Sequence, residues 1–83
     1  MILQDLTMKQ WIDKYIPLGS RRRTCRRSGV DKNTLRAWQE KKCQPSVLLL
    51  SYIVEVLVLE QNVDYNTVLL EGIKAAAKIG EEQ

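Results

Sequence analysis

The sequence predicts an all-α domain, a compact bundle of about five short helices. Apolar residues recur at three- and four-residue spacings, and no window alternates apolar and polar as a half-buried strand would. Helix start and stop signals punctuate these windows, with Thr7, Ser20, Asp31 and Pro45-Ser46 as starts and Pro17, Gly29 and Gly80 as stops. At 83 residues, 45% hydrophobic and 28% charged, the chain has the composition of a folded domain and room for a single core.

Each element follows in order. Thr7 with Gln10 forms a capping-box pattern, opening a first helix over 8–16 with Met8, Trp11, Ile12 and Tyr15 at helical spacing. Residues 1–6 read as an extension or a loose arm, and Pro17 and Gly19 end this helix. Ser20 reads as the N-cap of a second helix over 21–28, whose first turn is then Arg21-Arg22-Arg23. Cations at the positive end of a helix dipole cost about 0.3–1 kcal/mol each. An incoming phosphate would relieve that repulsion and accept the free N–H groups. The alternative is plain tolerance of surface arginines.

Gly29 supplies a turn in which a left-handed backbone costs little. Asp31 caps a third helix over 32–41, with Leu35 and Trp38 buried and Val30 pinning the turn. At about 100° per residue, Lys32, Asn33 and Arg36 fall on the opposite, open side. Pro45 and Ser46 open a fourth helix over 46–59, apolar on two sides. Leu50, Ile53, Val54 and Leu57 form one side, and Leu48, Tyr52, Val56 and Leu59 the other. A helix apolar on two sides is buried on two sides. Asp64 or Asn62 caps a last helix over 65–79, striped by Tyr65, Val68, Leu69, Ile73 and Ala76, and Gly80 with the polar tail stops it.

The net charge of +3 conceals an uneven distribution. Residues 20–45 carry nine basic and two acidic side chains, net +7, while the rest carries four basic and eight acidic, net −4. A basic middle between acidic ends is the footprint expected for a polyanion partner, with a solvated basic surface as the alternative. Cys25 and Cys43 stand far apart and the chain has no histidine, so the paired ligands of a zinc site are lacking and two free thiols are expected. No metal, cofactor or small-molecule ligand is implied. No uncharged apolar run reaches the length of a membrane span, and the N-terminus lacks a secretory pattern. There is no histidine, nucleophile motif or phosphate-cradling glycine loop to suggest an enzyme.

Gly29-Val30, the run Asp31-Lys32-Asn33-Thr34-Leu35-Arg36-Ala37-Trp38, Pro45-Ser46, and the spaced Leu50, Ile53 and Leu57 form an ordered set. With this set, residues 20–59 resemble the Cro/repressor-type helix-turn-helix family, often called the Xre family, over about half the chain and without a gap. Thr24 stands where a large apolar residue is usual, and Lys41 where glycine commonly ends the third helix. The resemblance implies a single lambda-repressor-like domain over 1–83, with the helix-turn-helix at about 20–41. It implies double-stranded DNA as partner, a dimer on a two-fold operator, and Lys32, Asn33 and Arg36 facing bases. It places Arg21 and Thr34 at phosphates; Ser20, Arg22 and Lys42 in the basic segment are further phosphate candidates.

The second apolar side of the fourth helix needs cover. The expected homodimer interface is Leu48, Tyr52, Val56 and Leu59 with Leu69 and Ile73 of the last helix, built mainly from that last helix. A monomer results if the last helix covers everything. The expectation is a small transcriptional repressor or regulator in the cytoplasm of a prokaryotic cell or phage-infected host. Rivals are an antitoxin, a phage recombination or packaging accessory, and an interaction module that has lost DNA binding. The basic, polar open face of the third helix argues against the last.

Overall fold

The structure, a computed structural model, describes residues 5–82. Over these residues it has five helices and no strand: α1 (Met8–Tyr15), α2 (Leu18–Ser28), α3 (Lys32–Gln39), α4 (Val47–Gln61) and α5 (Tyr65–Glu82). No described helix is long and apolar enough to cross a membrane. Within the segment read as a loose arm, Asp5 pairs with Lys78 at 2.7 Å and Leu6 packs on the core. Residues 1–4 lie outside the described residues.

The N-cap of α1 forms as its capping box requires. The Thr7 amide donates to Gln10 Oε1 at 2.9 Å, and the Gln10 amide donates to Thr7 Oγ1 at 3.2 Å. The start of α2 corrects the sequence reading. Pro17 is its N-cap, and Gly19 and Ser20 lie inside the helix. Ser20 caps nothing; its hydroxyl donates to the Pro17 carbonyl at 3.3 Å. Proline suits this place because its ring presets φ and the first turn uses no N–H from it. The arginine run therefore begins after the residues nearest the dipole's positive end, where its effect has already weakened.

Gly29 ends α2 at φ 78°, its N–H donating to the Cys25 carbonyl at 2.9 Å. Asp31 caps α3, its Oδ1 accepting from the Asn33 amide at 2.8 Å. The end of α3 comes two residues earlier than expected. The Lys41 amide donates to the Trp38 carbonyl at 3.2 Å and the Lys42 amide to the Ala37 carbonyl at 2.9 Å. These two bonds are a Schellman closure, and they require the left-handed backbone that Lys41 adopts at φ 61°. A side chain there costs about 1–2 kcal/mol, partly offset by the greater entropy glycine loses on folding. Lys41→Gly is therefore expected to stabilise the protein by about 0.5–1 kcal/mol, read as a higher urea midpoint at unchanged slope.

Ser46 stands outside α4 as its N-cap, accepting from the Leu49 amide at 3.2 Å. At the other end Asn62 is left-handed at φ 55°, so it closes α4 and does not open α5. Asp64 does that, accepting from the Thr67 amide at 2.9 Å and hydroxyl at 2.7 Å. Those two bonds hold the Asp64 carboxyl below the usual carboxylate range. Gly80 does not stop α5, which runs on to Glu82. The penalty of glycine inside a helix is only roughly 1 kcal/mol, and the buried Ala76 and Ile79 just before Gly80 anchor the end of α5 to the core.

The main helix contacts run α1 to α3, α3 to α2, α2 to α4, α4 to α5 and α5 to α1, a closed ring around one core. Trp11, Trp38, Ile12, Leu50, Ile53 and Leu57 fill it. At the α1–α5 crossing the Trp11 ring lies so near Gly72 that an added Cβ would sit 3.1 Å from Cε2 and Cζ2. The indole Nε1 donates to the Val68 carbonyl at 3.1 Å. One turn along, the Tyr15 hydroxyl donates to Glu71 Oε1, and both side chains are buried. Burial, then this bond, pushes the Tyr15 hydroxyl well above its ordinary value. Thr24, at its unusual position, is buried as well.

Candidate nucleic-acid interface

Helical periodicity divides the arginine run among three destinations. Arg21 turns back to α1. Its Nε and Nη2 donate to the Ile16 carbonyl at 3.3 and 3.0 Å, and Nη2 lies 3.5 Å from Asp13 Oδ1. Carbonyls at a helix C-terminus lack intrahelical donors. Arg21 supplies one at Ile16, and Gln61 Nε2 supplies another at Tyr15, at 2.7 Å. With its side chain only 16% exposed, Arg21 fastens α2 to α1, a role that its expected placement at a phosphate did not include.

Arg23 and Arg27, four residues apart, reach across to α4. They lie 3.2 and 3.4 Å from the two carboxylate oxygens of Glu60, which is nearly buried. Arg22 and Arg26, also four apart, pair with no described carboxylate. They border an open trough of about 450 Å³ with Gly29, Asp31 and Lys32. Cys25 touches this trough but is buried, and burial pushes its thiol up. It is a packed thiol, and Cys43 is exposed; both are free.

A second cleft of about 300 Å³ lies between the start of α2 and the outer face of α3. Leu18, Arg21 and Arg22 form one wall and Lys32, Asn33, Arg36 and Gln39 the other. Gln39 is held in place by α1, its Nε2 donating to Asp13 Oδ1 at 3.3 Å. Arg22 and Lys32 border both depressions, so trough and cleft make one continuous basic face. Asp31 fixes where α3 begins, and Leu35 and Trp38 fix its rotation by burying the other side. Lys32, Asn33 and Arg36 are all exposed on that face, as their spacing predicts.

The other expected phosphate contacts are dispersed. Ser20 is half-buried and bonded within its own helix. Thr34 is half-buried and borders neither depression. Lys42 lies beyond the end of α3, paired with Glu40 at 3.1 Å. Arg26 is the cation that the sequence reading missed, although its four-residue spacing from Arg22 would have shown it. Among the described residues no three metal-ligating side chains come together.

The second apolar side of α4 is only partly open. Leu48 is 60% exposed, Tyr52 42% and Leu59 86%, but Val56 is buried within the chain and cannot serve an interface. Leu69 and Ile73 are half-buried against the chain's own core, so the last helix is largely used up by α1 and α4. No family model, characterised protein or solved structure matches this chain.

Proposed function

We propose that this chain is a small sequence-specific DNA-binding protein, a transcriptional regulator that acts by occupying its operator. One observation carries the reading. Three exposed donors, Lys32, Asn33 and Arg36, stand on a single helix face and share a cleft with arginines of the preceding helix. Arginine and lysine pair with guanine in the major groove and asparagine with adenine, while cations beside them hold phosphates. A short helix joined by a three-residue turn to the helix before it is a form that fits the groove. The resemblance of residues 20–59 to Cro/repressor-type proteins points the same way. Selection of bound duplexes from a random pool at stated salt tests the reading. An enriched motif supports it, and binding without sequence enrichment refutes it.

The phosphate role belongs to Arg22 and Arg26. Alanine at either is expected to weaken binding to all duplexes alike and to lessen the log–log salt slope by about 1. The folded state should change by less than about 0.5 kcal/mol, because neither side chain is paired with a carboxylate among the described residues. Arg21→Ala should behave otherwise. It removes a charged donor from the Ile16 carbonyl and is expected to cost about 1–2 kcal/mol of stability without any DNA present. Thermal melts of the three variants beside their salt titrations separate the two roles.

A second copy of the chain is the partner that fits the open side of α4. Leu48, Tyr52 and Leu59 fall within a narrow stripe at helical spacing, with exposed Glu55 between them. Two-fold pairing there would give two reading helices for a palindromic site, one turn of DNA or about 34 Å apart. Leu59→Glu leaves the core untouched and is expected to hold the protein monomeric at concentrations where the parent sediments as a dimer. A parent that keeps the mass of one chain at every concentration, with and without DNA, removes this part of the proposal.

A further inference from the structure

Leu18 opens α2, is 80% exposed, and belongs to neither the core nor the residues packed against it. It is also the one apolar side chain on the walls of the cleft between α2 and α3. Everything else there is polar: Arg21, Arg22, Lys32, Asn33, Arg36 and Gln39. The first turn of a helix favours acidic or hydrogen-bonding side chains, so local structure gives leucine no advantage at this position. A large apolar group in water gains free energy only when something apolar covers it.

In the major groove, one base presents an apolar group. Thymine carries a methyl at C5, whereas guanine, cytosine and adenine present only donors and acceptors. We propose that Leu18 is a specificity-determining residue that selects one thymine for each bound chain by covering its 5-methyl group. The inference rests on the DNA-binding reading above and adds a base preference to it. Lys32, Asn33 and Arg36 read hydrogen-bonding edges, and Leu18, across the same cleft, reads the one apolar edge. Position and exposure together make the assignment: the side chain borders the space that the base readers border, and nothing among the described residues covers it.

The test deletes the methyl alone. In the duplex enriched from the random pool, each thymine is replaced in turn by deoxyuridine, which keeps the base pair and loses only the methyl group on C5. For the parent protein, one thymine for each bound chain is expected to show about fourfold weaker binding on replacement, the worth of one buried methyl. Leu18→Ala is expected to bind the thymine and uracil duplexes equally, with its salt slope and helical circular dichroism unchanged. Equal thymine preference in the parent and Leu18→Ala overturns the assignment, as does a parent indifferent to every such replacement. Failure of the parent to enrich any duplex is a different result, since it removes the DNA-binding reading itself. Leu18→Val, which retains part of the apolar contact, is expected to fall between parent and alanine.

Discussion

Alanine at Asn33 or Arg36 is expected to cost about 1–3 kcal/mol on the preferred duplex while leaving affinity for random DNA within about twofold. The choice at one base position should relax for each residue, and at a different position for each. Both side chains are exposed and pair with no described carboxylate, so their removal leaves no buried group unsatisfied and the fold should hold. Lys32 borders the trough as well as the cleft, and its alanine variant should combine a loss of base choice with a shallower salt slope. Parallel titrations on the selected duplex and on a scrambled one distinguish these outcomes. Equal losses on both duplexes for all three variants would reduce the residues to phosphate contacts and end the claim that they read sequence.

Trp11→Ala should have the largest effect on stability, about 3–5 kcal/mol. A domain of this length has a total stability of roughly 4–12 kcal/mol, so the loss is a large fraction of the whole. The indole is fully buried, bonded to the Val68 carbonyl and laid against the bare backbone at Gly72. Gly72→Ala probes the same contact from the other side. Alanine normally gains about 1 kcal/mol over glycine inside a helix. Here its Cβ would press on a ring held from behind, and overpacking of this kind costs about 1–3 kcal/mol. No net gain is expected from Gly72→Ala, whereas the same exchange at Gly19, where nothing lies near the added carbon, should stabilise. Urea unfolding of the three variants gives the comparison. A Gly72→Ala protein more stable than its parent by a full kcal/mol would mean that the ring moves freely.

What the sequence revealed of this fold was local. The capping box at Thr7, the Asp31 cap and the left-handed Gly29 each depend on residues within a turn of one another, and each was legible. So was the outer face of α3, because two large apolar residues fix its rotation. Errors arose at one local competition between two helix starts and, beyond that, where distant residues decide. Ser20 has the chemistry of an N-cap, but Pro17 already starts the helix three residues earlier. Gly80 has the chemistry of a stop, but the burial of Ile79 in the core depends on distant helices and lies outside any local window. The arginine run was the hardest to read. Five similar side chains are divided among the end of α1, a glutamate on α4 and the open face, and two of those destinations lie outside the run itself. Leu18 was overlooked because a lone exposed leucine has no pattern in sequence; its meaning comes from the cleft that it borders.

The closed ring of helices has a consequence for how the protein comes into being. Its closing contacts, Trp11 with Val68 and Tyr15 with Glu71, span 57 and 56 residues of an 83-residue chain. The entropy of bringing such distant segments together is lost before any of their packing is gained. A chain still emerging from the ribosome can form the turn between α2 and α3 by itself. It cannot brace α1 until α5 arrives, and α1 is what holds Arg21 and Gln39 in place beside the cleft. The basic face between α2 and α3 is then braced late and in one step, when α5 has joined the helices made before it.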